Sequence, residues 1–123
     1  MNTSQGGSLS LDDLRAKVDQ FSADRDWGQF HTPKNLATAL SVEVAELLEH
    51  FQWQRGDEAF ADLPEAKRAA VAHELADVFV YLLRFCSVTG IDPIAAAEEK
   101  LALNAEKYPA DRVRGQSAKY TEY

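Results

Sequence analysis

Four carboxylates pose the chemical question in this chain. Glu43-Val44-Ala45-Glu46 and Glu74-Leu75-Ala76-Asp77 each set two acids three residues apart. On a helix each pair lies on one face, a turn apart. The rest of each face is apolar: Ala39, Leu40 and Leu47 flank Glu43, and Ala70, Val71 and Val78 flank Glu74. Carboxylates belong on wet surfaces. If both stripes face one core the four converge, and two like charges about 4 Å apart repel by roughly 4 kcal/mol at an effective dielectric of about 20. Such a group must take up protons, pair with bases or bind a cation, and a cation is the expectation. Oxygen donors without His or Cys suit a hard octahedral ion, Mg2+ or in its place Mn2+, better than zinc. Glu49 continues the face beyond Glu46. A di-iron carboxylate site uses Glu-x-x-His on two helices, and no Glu here has His three positions on.

Other residues could serve a ligand beside that ion. Tyr81 lies four residues past Asp77, on the same face. His31 precedes a helix start, with Lys34 on its first turn, where anion binding is electrostatically natural. Lys100 and Asn104 are four apart, hence on one face of the last helix. Lys100 could hold a phosphate or be an ordinary surface lysine. The two tryptophans, Trp27 and Trp53, flank the Glu43-bearing helix. Read from Pro33 to Trp53, that helix spans roughly 30 Å, so both rings reach one base only if the loop folds Trp27 back or a second subunit supplies one of them.

The elements that must position these groups are helical. Ser10, with Asp13 three residues on, caps a first helix carrying Leu11, Leu14, Val18 and Phe21, which ends near Asp26-Trp27-Gly28. Thr32-Pro33 opens the second, expected to run to Trp53 and to close at Arg55-Gly56-Asp57 with Gly56 left-handed. Pro64 begins a third that stops at Gly90, and Asp92-Pro93 begins a fourth that stops before Pro109. No strand is evident. An all-α bundle follows, with residues 1–8 a disordered lead-in, 9–109 the domain and 110–123 a tail. Leu36, Leu40, Leu47 and Phe51 on one side of the second helix, and Ala37, Val44 and Leu48 on another, predict burial on several sides, by other helices or a second copy.

A net charge of -7 argues against a nucleic-acid polymer as partner, yet not against a small phosphorylated ligand, since a bound metal reverses the sign locally. The single cysteine, Cys86, permits no intrachain disulfide and reads as a buried small hydrophobe. Neither a signal peptide nor an uninterrupted apolar span is seen, so the expectation is a cytoplasmic protein without a membrane partner.

The run Arg25-Asp26-Trp27-Gly28-Gln29-Phe30-His31-Thr32-Pro33-Lys34-Asn35-Leu36, then Glu43-x-x-Glu46, Phe51-Gln52-Trp53, Glu74-x-x-Asp77 and Tyr81, resembles the MazG-like all-α nucleoside triphosphate pyrophosphohydrolases, most of all their dCTP pyrophosphatase branch. The likeness covers residues 10–121, with Lys100, Asn104, Tyr108-Pro109 and the ending Ser117-Ala-Lys-Tyr-Thr121, and 27 residues separate Glu46 from Glu74. The resemblance implies Mg2+ on Glu43, Glu46, Glu74 and Asp77. It implies a nucleotide pocket of Trp27, His31, Trp53, Tyr81, Lys100 and Asn104, with aromatics around the base and basic groups near the phosphates. It implies cleavage between the α and β phosphates, and four-helix chains assembled as dimers, in this branch as a dimer-of-dimers tetramer. Val18 departs from relatives that carry a polar residue or histidine in that part of the first helix. A carboxylate such as Glu46 or Glu49 could orient the attacking water, and Asn104 could read a pyrimidine edge. The competing reading is a non-enzymatic helical binding or oligomerisation module whose carboxylates pair with Arg84 or Lys100. The sequence leaves open the preferred base, the number of metals and the carboxylate that activates water.

Overall fold

The computed structural model describes residues 9–117 and Thr121. The expected lead-in and most of the Ser117–Thr121 ending lie outside the described residues. Five helices follow in order: α1 (Leu11–Asp24), α2 (Pro33–Glu49), α3 (Glu65–Thr89), α4 (Pro93–Lys107) and the short α5 (Ala110–Val113). Single 3-10 turns occupy Gly28–Phe30 and Phe60–Asp62, and no strand occurs among the described residues. The all-α expectation holds, with four long helices and a fifth, α5, inside the segment read as a tail. Two compact units divide the chain, Met1–Gly90 and Ile91–Tyr123.

The helix starts follow the capping chemistry. Ser10 accepts from the Asp13 N–H while the Asp13 carboxylate accepts from the Ser10 N–H, a capping box. Thr32 Oγ1 accepts from Asn35 N at 3.1 Å, and Asp92 Oδ1 from Ile94 and Ala95, each ahead of a proline at the first helical position. Gly90 ends α3 at φ 74°, which only glycine adopts without a Cβ penalty.

The end of α2 differs from expectation. Regular i→i−4 bonding gives way to His50 N–H to Leu47 O, Phe51 N–H to Leu48 O and Gln54 N–H to Phe51 O, all reaching three residues back. These tight turns wind the chain off the helix axis at Glu49. Trp53 therefore lies in a turn, and Gly56 is not left-handed, because the helix it was expected to close has already ended.

Within the first unit α3 is the central element, packed chiefly on α2 and also on α1. Leu36 of α2 and Leu83 of α3 are each 1% exposed, and Val18, Leu63, Val71 and the expected small hydrophobe Cys86 complete the core. Many large apolar side chains remain uncovered, among them Val42, Val44, Leu48, Leu75, Phe79 and Leu82 on α2 and α3. No single helix among the described residues is long and apolar enough to cross a membrane.

Candidate active site

Pairing α2 with α3 brings the two acidic motifs together. Glu43 and Glu46 of α2 and Glu74 of α3, all half-buried, each present a carboxylate oxygen, and the three oxygens lie within 4.8 Å of one another. Glu74 Oε2 is buried with no hydrogen-bond partner. An orphaned carboxylate oxygen among other acids is a costly arrangement that a cation would relieve. The Glu43 carboxyl is pushed up to about 7, first by burial, then by its hydrogen bond to Glu74 and by the charges of Glu46, Glu74 and Asp77. Glu74 is raised as well, first by burial. The set is all oxygen and anionic, which fits a hard divalent cation. Asp77, a turn past Glu74, is near enough to act on both groups but is exposed.

Asp77 opens onto a cavity of about 420 Å³. Helix α1 contributes Lys17, Val18 and Phe21, the connecting turn contributes Trp27 and His31, and α3 contributes Asp77, Val80, Tyr81 and Arg84. The turn is built locally. After α1, both Arg25 N–H and Trp27 N–H donate to Ser22 O, and Asp26 takes φ 54°, a left-handed position that Asp tolerates better than most residues. Gln29 Nε2 ties back to Asp26, and Asn35 Nδ2 donates to Phe30 O at 3.0 Å, fastening the turn to α2. This folds Trp27 back against α1, with its ring edge-on to Phe21 at 5.8 Å and to His31 at 6.3 Å between centroids.

Arg84 anchors the far wall. Its Nε donates to His31 Nδ1 and its Nη1 to Asp19 Oδ1, both at 2.8 Å, while Ser87 Oγ donates to Asp19 Oδ2 at 2.9 Å. His31 is held below its ordinary value, first by burial and then by the Arg84 charge.

A family model, MazG-like family, matches residues 38–123. The chain is 41% identical over 114 residues to dCTP pyrophosphatase 1 of Homo sapiens, covering 92% of this chain and 67% of that protein. It is 39% identical over 117 residues to dCTP pyrophosphatase 1 of Bos taurus, with 92% and 68% covered. Among solved structures, a pyrophosphatase from Archaeoglobus fulgidus DSM 4304 superposes with TM-score 0.76 at 42% identity, over 84% of this chain and 95% of that one. The chain belongs to the MazG-like family. Among MazG-like proteins its likeness runs to the dCTP pyrophosphatases, and it is an enzyme of the pyrophosphohydrolase class.

In this MazG-like chain the expected residues fall into three groups. Glu43, Glu46 and Glu74 meet directly, with Asp77 adjoining. Trp27, His31, Asp77 and Tyr81 share the cavity. Trp53, 89% exposed, is not among its lining residues. Lys100 is exposed and Asn104 half-buried on α4, in the second unit. Arg84 was expected only as a possible partner of the four acids and instead pairs with Asp19. Lys17, Asp19 and Ser87 carried no motif; only a polar stripe on α1 opposite Arg84, in the apolar second half of α3, could have pointed to them.

The raised Glu43 value fixes a pH dependence. In the unfolded chain this group titrates near 4.5, in the folded metal-free protein near 7. The folded state holds the extra proton, so the contribution is fully favourable below about pH 4.5 and is lost as pH rises through about 7. Melting of metal-free wild type relative to Glu43→Gln should therefore worsen across that window. Added Mg2+ should raise the wild-type melting temperature more at pH 8 than at pH 5.5.

Proposed function

We propose that this protein is a nucleoside triphosphate pyrophosphohydrolase acting on a deoxynucleoside triphosphate, dCTP or a modified dCTP, to give the monophosphate and pyrophosphate. The observation that carries the reading is the Glu43–Glu46–Glu74 cluster, with its partnerless Glu74 Oε2, beside an aromatic-walled cavity of nucleoside size. Glu43, Glu46 and Glu74 would hold Mg2+ or Mn2+, with Asp77 completing the set from the cavity side. The ion, when bound, supplies charge neutralisation for the triphosphate and for the pyrophosphate leaving group. Glu46 or Glu49 orients the attacking water and accepts its proton. Trp27 and Tyr81 wall the base and exclude solvent. Stacking tolerates any base, so choice among bases falls to hydrogen-bonding groups. Asn104 and Lys100 are proposed as base and phosphate contacts, and Lys100→Ala should raise KM without abolishing turnover.

The uncovered apolar faces of α2 and α3 support self-association as a dimer or tetramer, and Trp53 is proposed to reach a pocket only in that assembly. A role in clearing unwanted nucleotides from the cytoplasmic pool goes with this reading. The test is a panel of dNTPs and NTPs with Mg2+, scoring pyrophosphate against orthophosphate. We expect pyrophosphate and dCMP, with dCTP or a 5-modified dCTP hydrolysed fastest. Orthophosphate as first product would overturn cleavage at the α–β position.

A further inference from the structure

We infer that Asp19 and Arg84 are positioning residues that lock His31 as its neutral Nε2–H tautomer, a fixed hydrogen-bond donor to an uncharged base or sugar oxygen in the cavity. This rests on the proposed nucleotide substrate for the identity of the acceptor, though not for the tautomer. Arg84 Nε–H donates to His31 Nδ1 at 2.8 Å. A guanidinium has no acceptor and keeps its protons, so Nδ1 must carry a lone pair and the ring proton sits on Nε2. A second proton at Nδ1 would break that bond and set two cations together.

The guanidinium is itself fixed. Nη1 donates to Asp19 Oδ1 at 2.8 Å, and Asp19 Oδ2 accepts from Ser87 at 2.9 Å. The Arg84 side chain is 16% exposed. Nη2 lies 3.8 Å from where a Cβ on Gly28 would stand, so the turn carrying His31 sits against it. One polar chain thus joins α1, α3 and the turn. The cavity that His31 lines is walled mostly by apolar groups, Val18, Phe21, Trp27, Val80 and the Tyr81 ring, with Lys17, Asp77 and Arg84 as its charged residues. A neutral N–H on a mostly apolar wall suits a carbonyl or ether oxygen, whereas a triphosphate calls for charge or metal.

Histidine-15N labelling of the full chain at pH 7.5, without metal or nucleotide, reads the tautomer directly. The expected His31 pattern is a protonated Nε2 and an unprotonated Nδ1. An Nδ1–H or imidazolium pattern, or tautomers in free exchange, would overturn the proposal even if dCTP is not hydrolysed. Asp19→Asn and Arg84→Met should loosen the tautomer and raise KM for dCTP about five- to tenfold, with kcat changed much less. An unchanged tautomer and KM in both variants would also overturn it. Deoxycytidine should shift the His31 Nε2–H signal and tripolyphosphate should not, and a response to tripolyphosphate alone contradicts the assignment of the acceptor.

Discussion

Replacing Glu43 by glutamine is expected to cut pyrophosphate release by about a thousandfold or more, while the metal-free protein at pH 8 melts higher than wild type. The two effects have one cause. Three carboxylate oxygens lie within 4.8 Å of one another, and Glu43 is pushed up to about 7 by burial and by its acidic neighbours. At pH 8 the Glu43 carboxyl is charged in its acidic setting, so it strains the metal-free fold. Glutamine removes one charge, keeps the shape and eases the repulsion. It also removes an anionic ligand, and several kcal/mol of transition-state stabilisation go with the cation, each 1.4 kcal/mol being about tenfold in rate. Site-directed kinetics and calorimetry on one preparation check both signs. A variant that loses activity and stability together would indicate a structural role for Glu43.

The largest effect on stability is expected from Leu36→Ala. Leu36 is 1% exposed on the inner side of α2, the helix that carries Glu43 and Glu46. Truncating such a residue costs the transfer free energy plus a cavity term, about 3 kcal/mol. For a chain of this size that lowers the melting temperature by roughly 10–20 °C. Leu36→Met, which conserves volume, should cost under about 1.5 kcal/mol. Denaturant melts decide it; a loss in Leu36→Ala no larger than in Leu36→Met would mean that α2 is not held by this contact. Because α2 and α3 form the metal cluster only when packed, partial loss of this contact should also weaken Mg2+ binding.

The parts of this architecture legible from sequence are those set by local chemistry. Ser10, Thr32, Asp92 and Gly90 act within a turn of themselves, and each stands where its side chain or missing Cβ demands. The helical spacing of Glu43, Glu46, Glu74 and Asp77 could be read the same way, and so could their conflict with an apolar setting. Where α2 ends could not. Phe51 continues the helical period of Leu47 and Leu48 past Glu49, but the backbone tightens there into three-residue turns. That shift put Trp53 outside the helix and removed the reason for a left-handed Gly56. The Asp19–Arg84–His31 chain was equally hidden, because its bonds join residues 53 and 65 positions apart. The sequence offered His31 as a phosphate ligand beside a helix start. The neighbour that donates to its Nδ1, Arg84, lies on α3 and is brought close only by the fold.

The central claim is that Glu43, Glu46 and Glu74 form a divalent-cation site. It is tested most directly by titrating the protein with Mn2+ and following the free-ion signal by electron paramagnetic resonance. Wild type is expected to bind Mn2+ and to release it to Mg2+, and Glu74→Gln to lose this binding while keeping its helical circular-dichroism spectrum. Equal Mn2+ binding by wild type and Glu74→Gln would contradict it.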